Sequence, residues 1–222
     1  MGGVIPLGDA SRRPRGAAAV TLFLIALNAW VFFLELQHGN RFVRAWAAVP
    51  FRITHGHAEI TVLTSMFLHA SWMHIIGNMV FLWAFGPAME DAMGRGRYLF
   101  FYLAGGIVAM LAQVYADPLS HVPCMGASGA IAAVMGAFLV TFPRDRIRTL
   151  LFFLIFIRIT YIPAIFLIGF WFLFQVVDYG VIAVARTGGV AYMAHIGGFL
   201  FGVILGRLFL NRRRLAFRGY WG

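Results

Sequence analysis

The chain has 222 residues, 61% of them hydrophobic and only 12% charged, with a mean hydropathy of +0.82. Soluble domains carry about 25% charged residues, so a soluble globular class is excluded, and the alternating ten-residue segments of a membrane β-barrel are absent. The basic excess of 18 against 8 acidic residues is arginine alone, placed at the ends of apolar runs. Such a distribution excludes a nucleic-acid surface, which needs basic residues interleaved with exposed aromatics.

A bilayer core of about 30 Å takes about 20 apolar residues per helix, and six such runs predict an all-α, polytopic bundle of six transmembrane helices. The first run, about Ala17 to Leu36, follows Arg12, Arg13 and Arg15. It is longer than the apolar core of a signal peptide, about 7–15 residues, and is expected to be retained. A long connection from Gln37 to about Leu68 carries Trp46, Pro50, Arg52, His55 and His57. The second run is about Ser71 to Ala92, the third about Tyr98 to Tyr115, and the fourth Gly126 to Phe142, stopped by Pro143. The stretch Leu150 to Thr160 (LLFFLIFIRIT) is too short to span and is expected along the membrane interface. The fifth run is about Pro163 to Ala183 and the sixth about Ala191 to Leu210. The resulting organisation is an N-terminal tail (1–16), a membrane domain (17–210) and a basic C-terminal tail (211–222). Cytoplasmic basic residues orient a bundle. With both termini cytoplasmic, thirteen arginines fall inside and four (Arg41, Arg44, Arg52, Arg186) outside, Arg158 being undecided.

In that orientation the fourth and sixth runs both descend from the outer face, and Ser128, His195, His74 and Asn78 share one depth, roughly 5–12 Å down at ~1.5 Å per helical residue. Polar groups at such depth are costly and point to function. Ala194, Gly198, Gly202 and Gly206 recur every four residues, facing Gly129, Ala133, Ala132 and Gly136 of the fourth run. Stripes of small residues let two helix backbones approach closely. Ser128 and His195 are then expected within hydrogen-bonding reach, with a neutral His195 as the base that a weakly nucleophilic serine requires. Ser128 opens its helix, where backbone N–H groups are unpaired, and Asn78 and His74, four residues apart, share a helix face. No acidic residue is expected near this level, so the pattern reads as a Ser–His dyad without Asp.

Other chemistries fit less well. The His-Glu-x-x-His signature is absent, a metal site from His69, His74 and His195 lacks a good fourth ligand, and neither a metal nor another cofactor is implied. Only Asp178 lies near a span, short of an aspartyl pair, and Ala130 breaks the Gly-x-Ser-x-Gly elbow. The single cysteine, Cys124, excludes an internal disulfide. A transporter would show repeat symmetry and midplane polar residues, and neither is found.

Four segments in order, HASWMHIIGN (69–78), FGPAMEDAMG (85–94), GASGA (126–130) and AHIGGFLFG (194–202), resemble the bacterial six-span rhomboid intramembrane serine proteases over roughly Val62 to Phe209. The resemblance implies Ser128 as nucleophile, His195 as general base, and His74, Asn78 and the Ser128 N–H as oxyanion hole. It makes His69 a structural and hydration residue beside the site and Glu90 a buried structural group. Gly126 is expected to let a substrate backbone pass closely. The implied substrates are single-pass membrane proteins, cleaved near the outer leaflet of a bacterial inner membrane, with the fifth span and the loop after it gating entry. A catalytically silent relative that binds membrane helices as a chaperone or trafficking factor is the alternative. The family's Tyr one turn after the serine is replaced by Ala132, which leaves Phe138, Phe199 or Tyr192 to pack against His195, and its first-loop Trp–Arg pair has no counterpart beyond nearby Arg44-Ala45-Trp46.

Overall fold

A computed structural model describes residues 2–12, 14–153, 156–185, 191–211 and 213–214. Arg13, Arg186, Arg212, Arg218, most of the C-terminal tail and residues 186–190 lie outside the described residues. Among the described residues eight α-helices and three strands follow in chain order: β1 (Gly2–Asp9), α1 (Ala19–Trp46), α2 (Pro50–Thr54), α3 (Thr61–Thr64), α4 (Trp72–Met93), α5 (Arg95–Ala116), α6 (Ser128–Thr141), β2 (Arg146–Phe153), β3 (Phe156–Pro163), α7 (Ala164–Ala185) and α8 (Tyr192–Leu205), the last extended by a 3-10 turn, Gly206–Phe209.

A helix therefore stands at each of the six expected places, and the chain is mostly helical. Among the described residues, three segments are long and apolar enough to cross a membrane: Ala19–Trp46, Arg95–Ala116 and Tyr192–Phe209; Ser128–Thr141 and Ala164–Gly180 are shorter apolar helices. The chain is an integral membrane protein. α1 runs ten residues past the expected end, through a break at Gly39 (φ 62°), a conformation that glycine adopts without a Cβ penalty. The long connection after it folds into α2, α3 and a 3-10 turn, Ser65–Phe67.

The all-α expectation needs one correction. β2 and β3 pair antiparallel, and β1, in the segment expected as a tail, pairs with β2 in the order β1-β2-β3. The alternation explains it: Ile147 and Thr149 are fully buried, whereas Arg146, Arg148 and Phe152 between and beyond them are exposed. A period of two with β-branched and aromatic residues favours strand over helix.

α6 is the axis of the bundle, with every residue from Gly129 to Phe138 buried. α8 lies against it backbone to backbone. A Cβ on Gly198 would collide with the Gly129 carbonyl, one on Gly202 with the Ala133 carbonyl, and one on Gly136 with the Phe199 carbonyl. On another side α5 closes in through Gly105 against Ala133 and Gly106 against Ala130. The small-residue stripe thus sets the α6–α8 register, and Ser128 and His195 occupy the first turns of these two helices.

The end of the bundle away from Ser128 is closed by arginines and by the carboxylate of Glu90. Arg207 donates to the Val140 carbonyl in the last turn of α6 (Nε 3.0 Å), Arg97 to the Leu210 carbonyl (3.3 Å), and Arg214 to the Asp91 carbonyl near the end of α4 (3.4 Å). Last-turn carbonyls lack intrahelical donors, and cations are favoured there. Glu90 of α4 does the converse for α1, whose start has no side-chain cap of its own. Its carboxylate accepts from Val20 N–H (3.0 Å), Thr21 N–H (2.8 Å) and Thr21 Oγ1 (2.9 Å). The structure thus places the buried Glu90 at a helix cap.

Candidate active site

The α6 entry is held before any chemistry is considered. Ala48 and Cys124 exchange backbone hydrogen bonds (3.1 and 2.7 Å), and Gly126 N–H donates to the Ser65 carbonyl (2.9 Å). Gly126 has φ 128°, and a Cβ there would meet the His74 imidazole at 2.8 Å. Glycine is required on both counts, since the loop must turn and must press against His74. Ser128 follows at the first position of α6, where its N–H has no intrahelical partner.

At the head of α8, His195 Nε2 lies 2.7 Å from Ser128 Oγ. Its other nitrogen, Nδ1, lies 2.6 Å from Oε1 of Gln175 on α7. Gln175 Nε2 in turn donates to the Trp171 carbonyl at 3.4 Å, which assigns the amide oxygen to the histidine side. Nδ1 then carries the imidazole proton and the Nε2 lone pair faces the serine hydroxyl, the tautomer a general base needs.

From α4, His74 and Asn78 reach the same space. The Ala70 N–H donates to His74 Nδ1 (3.4 Å), which leaves Nε2 as the protonated nitrogen, on the Gly126 side. Asn78 is buried, yet its Nδ2 has no hydrogen-bond partner. Buried amide donors are nearly always paired, so an unsatisfied one beside the serine is left to donate to a group that enters the cavity. All four side chains, with Gln175, line a cavity of about 910 Å³ whose walls include Met73, Phe81, Met135 and Trp171.

The structure brings Ser128, His195, His74, Asn78 and Gly126 together. His69 stands one step back. It is buried, its ring edge-on to His74 (centroids 5.1 Å), and its N–H donates to Glu35 (3.0 Å). Among the described residues no three His, Cys, Asp or Glu side chains converge as a metal site. The ring of His195 is flanked by Tyr192, edge-on at 6.2 Å, and by Trp171 at 5.9 Å. Of the expected neighbours Tyr192 is therefore the one in contact. Phe138 pairs instead with Phe85 and Phe142, and Phe199 stacks on Phe172.

The rhomboid domain model matches residues 57–212. The chain belongs to the rhomboid family. Relatives of this rhomboid include the mitochondrial rhomboid protein 1 of Saccharomyces cerevisiae, 28% identical over 89% of this chain and 57% of the relative. Two Bacillus subtilis proteins also match: the putative rhomboid protease YdcA, 32% identical over 54% of this chain and 61% of the relative, and the rhomboid protease GluP, 34% identical over 56% and 25%. The chain thus spans between a quarter and three fifths of the length of these relatives.

Two residues of this rhomboid's site escaped the sequence reading. Gln175 left the only available signal, a lone amide in the apolar stretch WFLFQVV. Glu35 corrects the expectation that no acidic residue lies at this level: it is buried on α1 four residues before the break at Gly39, on the His69 backbone N–H and not on the dyad. It, too, was visible as an isolated carboxylate in an apolar run.

Proposed function

We propose that this rhomboid is an intramembrane serine endopeptidase that hydrolyses peptide bonds in or near the transmembrane segments of single-pass membrane proteins through the Ser128–His195 dyad. The observation that carries this reading is the 2.7 Å approach of His195 Nε2 to Ser128 Oγ, at the wall of a cavity with preplaced donors. Ser128 Oγ attacks the scissile carbonyl as its proton passes to His195 Nε2. The oxyanion accepts from Asn78 Nδ2, His74 Nε2–H and the Ser128 N–H. His195 then gives its proton to the leaving amine, and a water molecule, deprotonated by the same nitrogen, releases the acyl group.

The fold supports a site below a membrane surface. At ~1.5 Å per residue the 14 residues of α6 cover roughly 21 Å, well short of a ~30 Å core. If the arginine-capped end sits at the cytoplasmic boundary, with both termini inside and six spans, Ser128 lies beneath the outer surface of a bacterial inner membrane. An unwound segment of a neighbouring helix can reach it there from the lipid.

The test is cleavage of a single-pass model substrate in proteoliposomes by the wild type, Ser128→Ala and His195→Ala. Turnover is expected to fall by about 10⁴-fold or more in each variant, together with loss of labelling by a serine-directed fluorophosphonate. A variant that keeps full turnover removes its residue from the chemistry. A wild type that binds membrane helices but neither cleaves nor takes label is instead the silent relative.

A further inference from the structure

We propose that Gln175 is the positioning residue of the base: from α7 its amide oxygen holds the Nδ1–H of His195 and so fixes the Nε2 lone pair on Ser128. This rests on the dyad reading and extends it to a third helix. A neutral imidazole has two tautomers of similar energy, and only the one protonated at Nδ1 can accept the serine proton at Nε2. In the described structure the groups that decide between them are the two partners on opposite ring nitrogens, Ser128 Oγ at 2.7 Å and Gln175 Oε1 at 2.6 Å. A serine hydroxyl rotates and serves as donor or acceptor equally well, so it leaves the choice open. The amide of Gln175 does not, because its NH₂ is directed to the Trp171 carbonyl one turn earlier in α7. An acceptor-only atom therefore faces Nδ1.

The placement of Gln175 gives the contact a second consequence. Trp171, Gln175 and Tyr179 follow one another at four-residue spacing and all line the cavity, while Phe170, Leu173, Phe174, Val176 and Val177 of the same helix are exposed. α7 meets α8 mainly through rings, Phe172 stacked on Phe199 at 4.2 Å and Trp171 against His195 and Phe199. Rings slide with little change in energy, whereas a hydrogen bond is directional and weakens steeply when bent. The seat of α7 on α8 is thus read at His195 through one amide oxygen, and a shift of α7 that widens the cavity also unfixes the base.

Gln175→Met keeps length and removes the acceptor, and Gln175→Glu keeps an acceptor at the same reach. The expected result is a fall in kcat of about ten- to hundred-fold for Gln175→Met, the scale of one hydrogen bond to a group that becomes charged as it takes the proton, with KM within about twofold of the wild type. Gln175→Glu is expected to recover most of the lost kcat. A second readout needs no turnover: in the Ser128→Ala background, the imidazole ¹⁵N shifts of His195 should report the Nδ1–H tautomer with Gln175 and a mixture with Gln175→Met. Full kcat in Gln175→Met, equal losses in Met and Glu variants, or an unchanged ¹⁵N pattern would each overturn the role of Gln175. Failure of the dyad itself looks different, because there the wild type is already silent toward substrate and fluorophosphonate.

Discussion

The two ends of the bundle treat their polar groups in opposite ways. At the arginine end every group described above has a protein partner. Arg207, Arg97 and Arg214 sit on helix-terminal carbonyls, and Glu90 gathers three donors from the start of α1. At the Ser128 end Asn78 Nδ2, Gln113 Oε1 and both ring nitrogens of His69 are buried without partners. Unpaired buried groups are costly, and here Asn78 and Gln113 line the cavity. One end closes its polar groups on the protein itself, and the other turns unpaired ones toward the cavity.

That contrast predicts that substitutions at the two ends fail in different currencies. Glu90→Ala removes the acceptor for three donors, two of them on the fully buried Thr21. A cost of about 3 kcal/mol or more is expected, seen as a lower Tm in detergent and less folded protein, while the surviving folded fraction keeps its kcat. Should Glu90→Ala instead leave Tm unchanged and lower kcat, the division between the ends is wrong. Asn78→Ala should behave in reverse. Its side-chain nitrogen has no partner to lose, so Tm is expected to hold, while turnover falls by up to about 10²-fold, near the scale of one oxyanion donor. Undiminished turnover takes Asn78 out of the hole.

The same contrast explains what could be read from the sequence. The six helices and the α6–α8 contact were legible because apolar length and four-residue glycine spacing are local patterns that dictate packing directly. The convergence of Ser128, His195, His74 and Asn78 on one cavity was legible because polar residues in apolar runs stand out, and helical rise puts them at one level along their helices. Gln175 and Glu35 stood out in the same way, but nothing in a linear pattern says which helix faces which ring. The sheet was missed for another reason. A stretch as apolar as LLFFLIFIRIT carries helix and strand signals together, and the partner that decides between them, β1, lies more than 140 residues away. Pairing over such a distance leaves no local trace.

β1 also supplies a departure at the arginine end, and with it the smallest predicted effect. Arg12 forks onto Asp145 (Nη2 to Oδ1 2.9 Å; Nε to Oδ2) and lies over the Phe142 ring at 3.7 Å. Asp9, the last residue of β1, is drawn into this cluster with its Oδ2 buried and without a hydrogen-bond partner, 3.9 Å from Arg12 Nε. Burial pushes the Asp9 carboxyl up to about 6 from 3.8, and the nearby Asp145 charge adds to this against the opposing pull of the Ser11 N–H and Arg12. The folded state therefore holds a proton that the unfolded chain would release. The stability this proton confers is complete below about pH 4 and is lost as pH rises through about 6. Hydrogen exchange in residues 2–9, corrected for intrinsic rates, should show strong protection at pH 5 and weaker protection at pH 7.5, with kcat per folded enzyme unaffected. Asp9→Asn, neutral throughout, should keep the pH 5 protection at both values. Equal protection of the wild type at the two pH values would mean that the cluster already satisfies the ionised carboxylate. Asp9 would then be no exception at the arginine end.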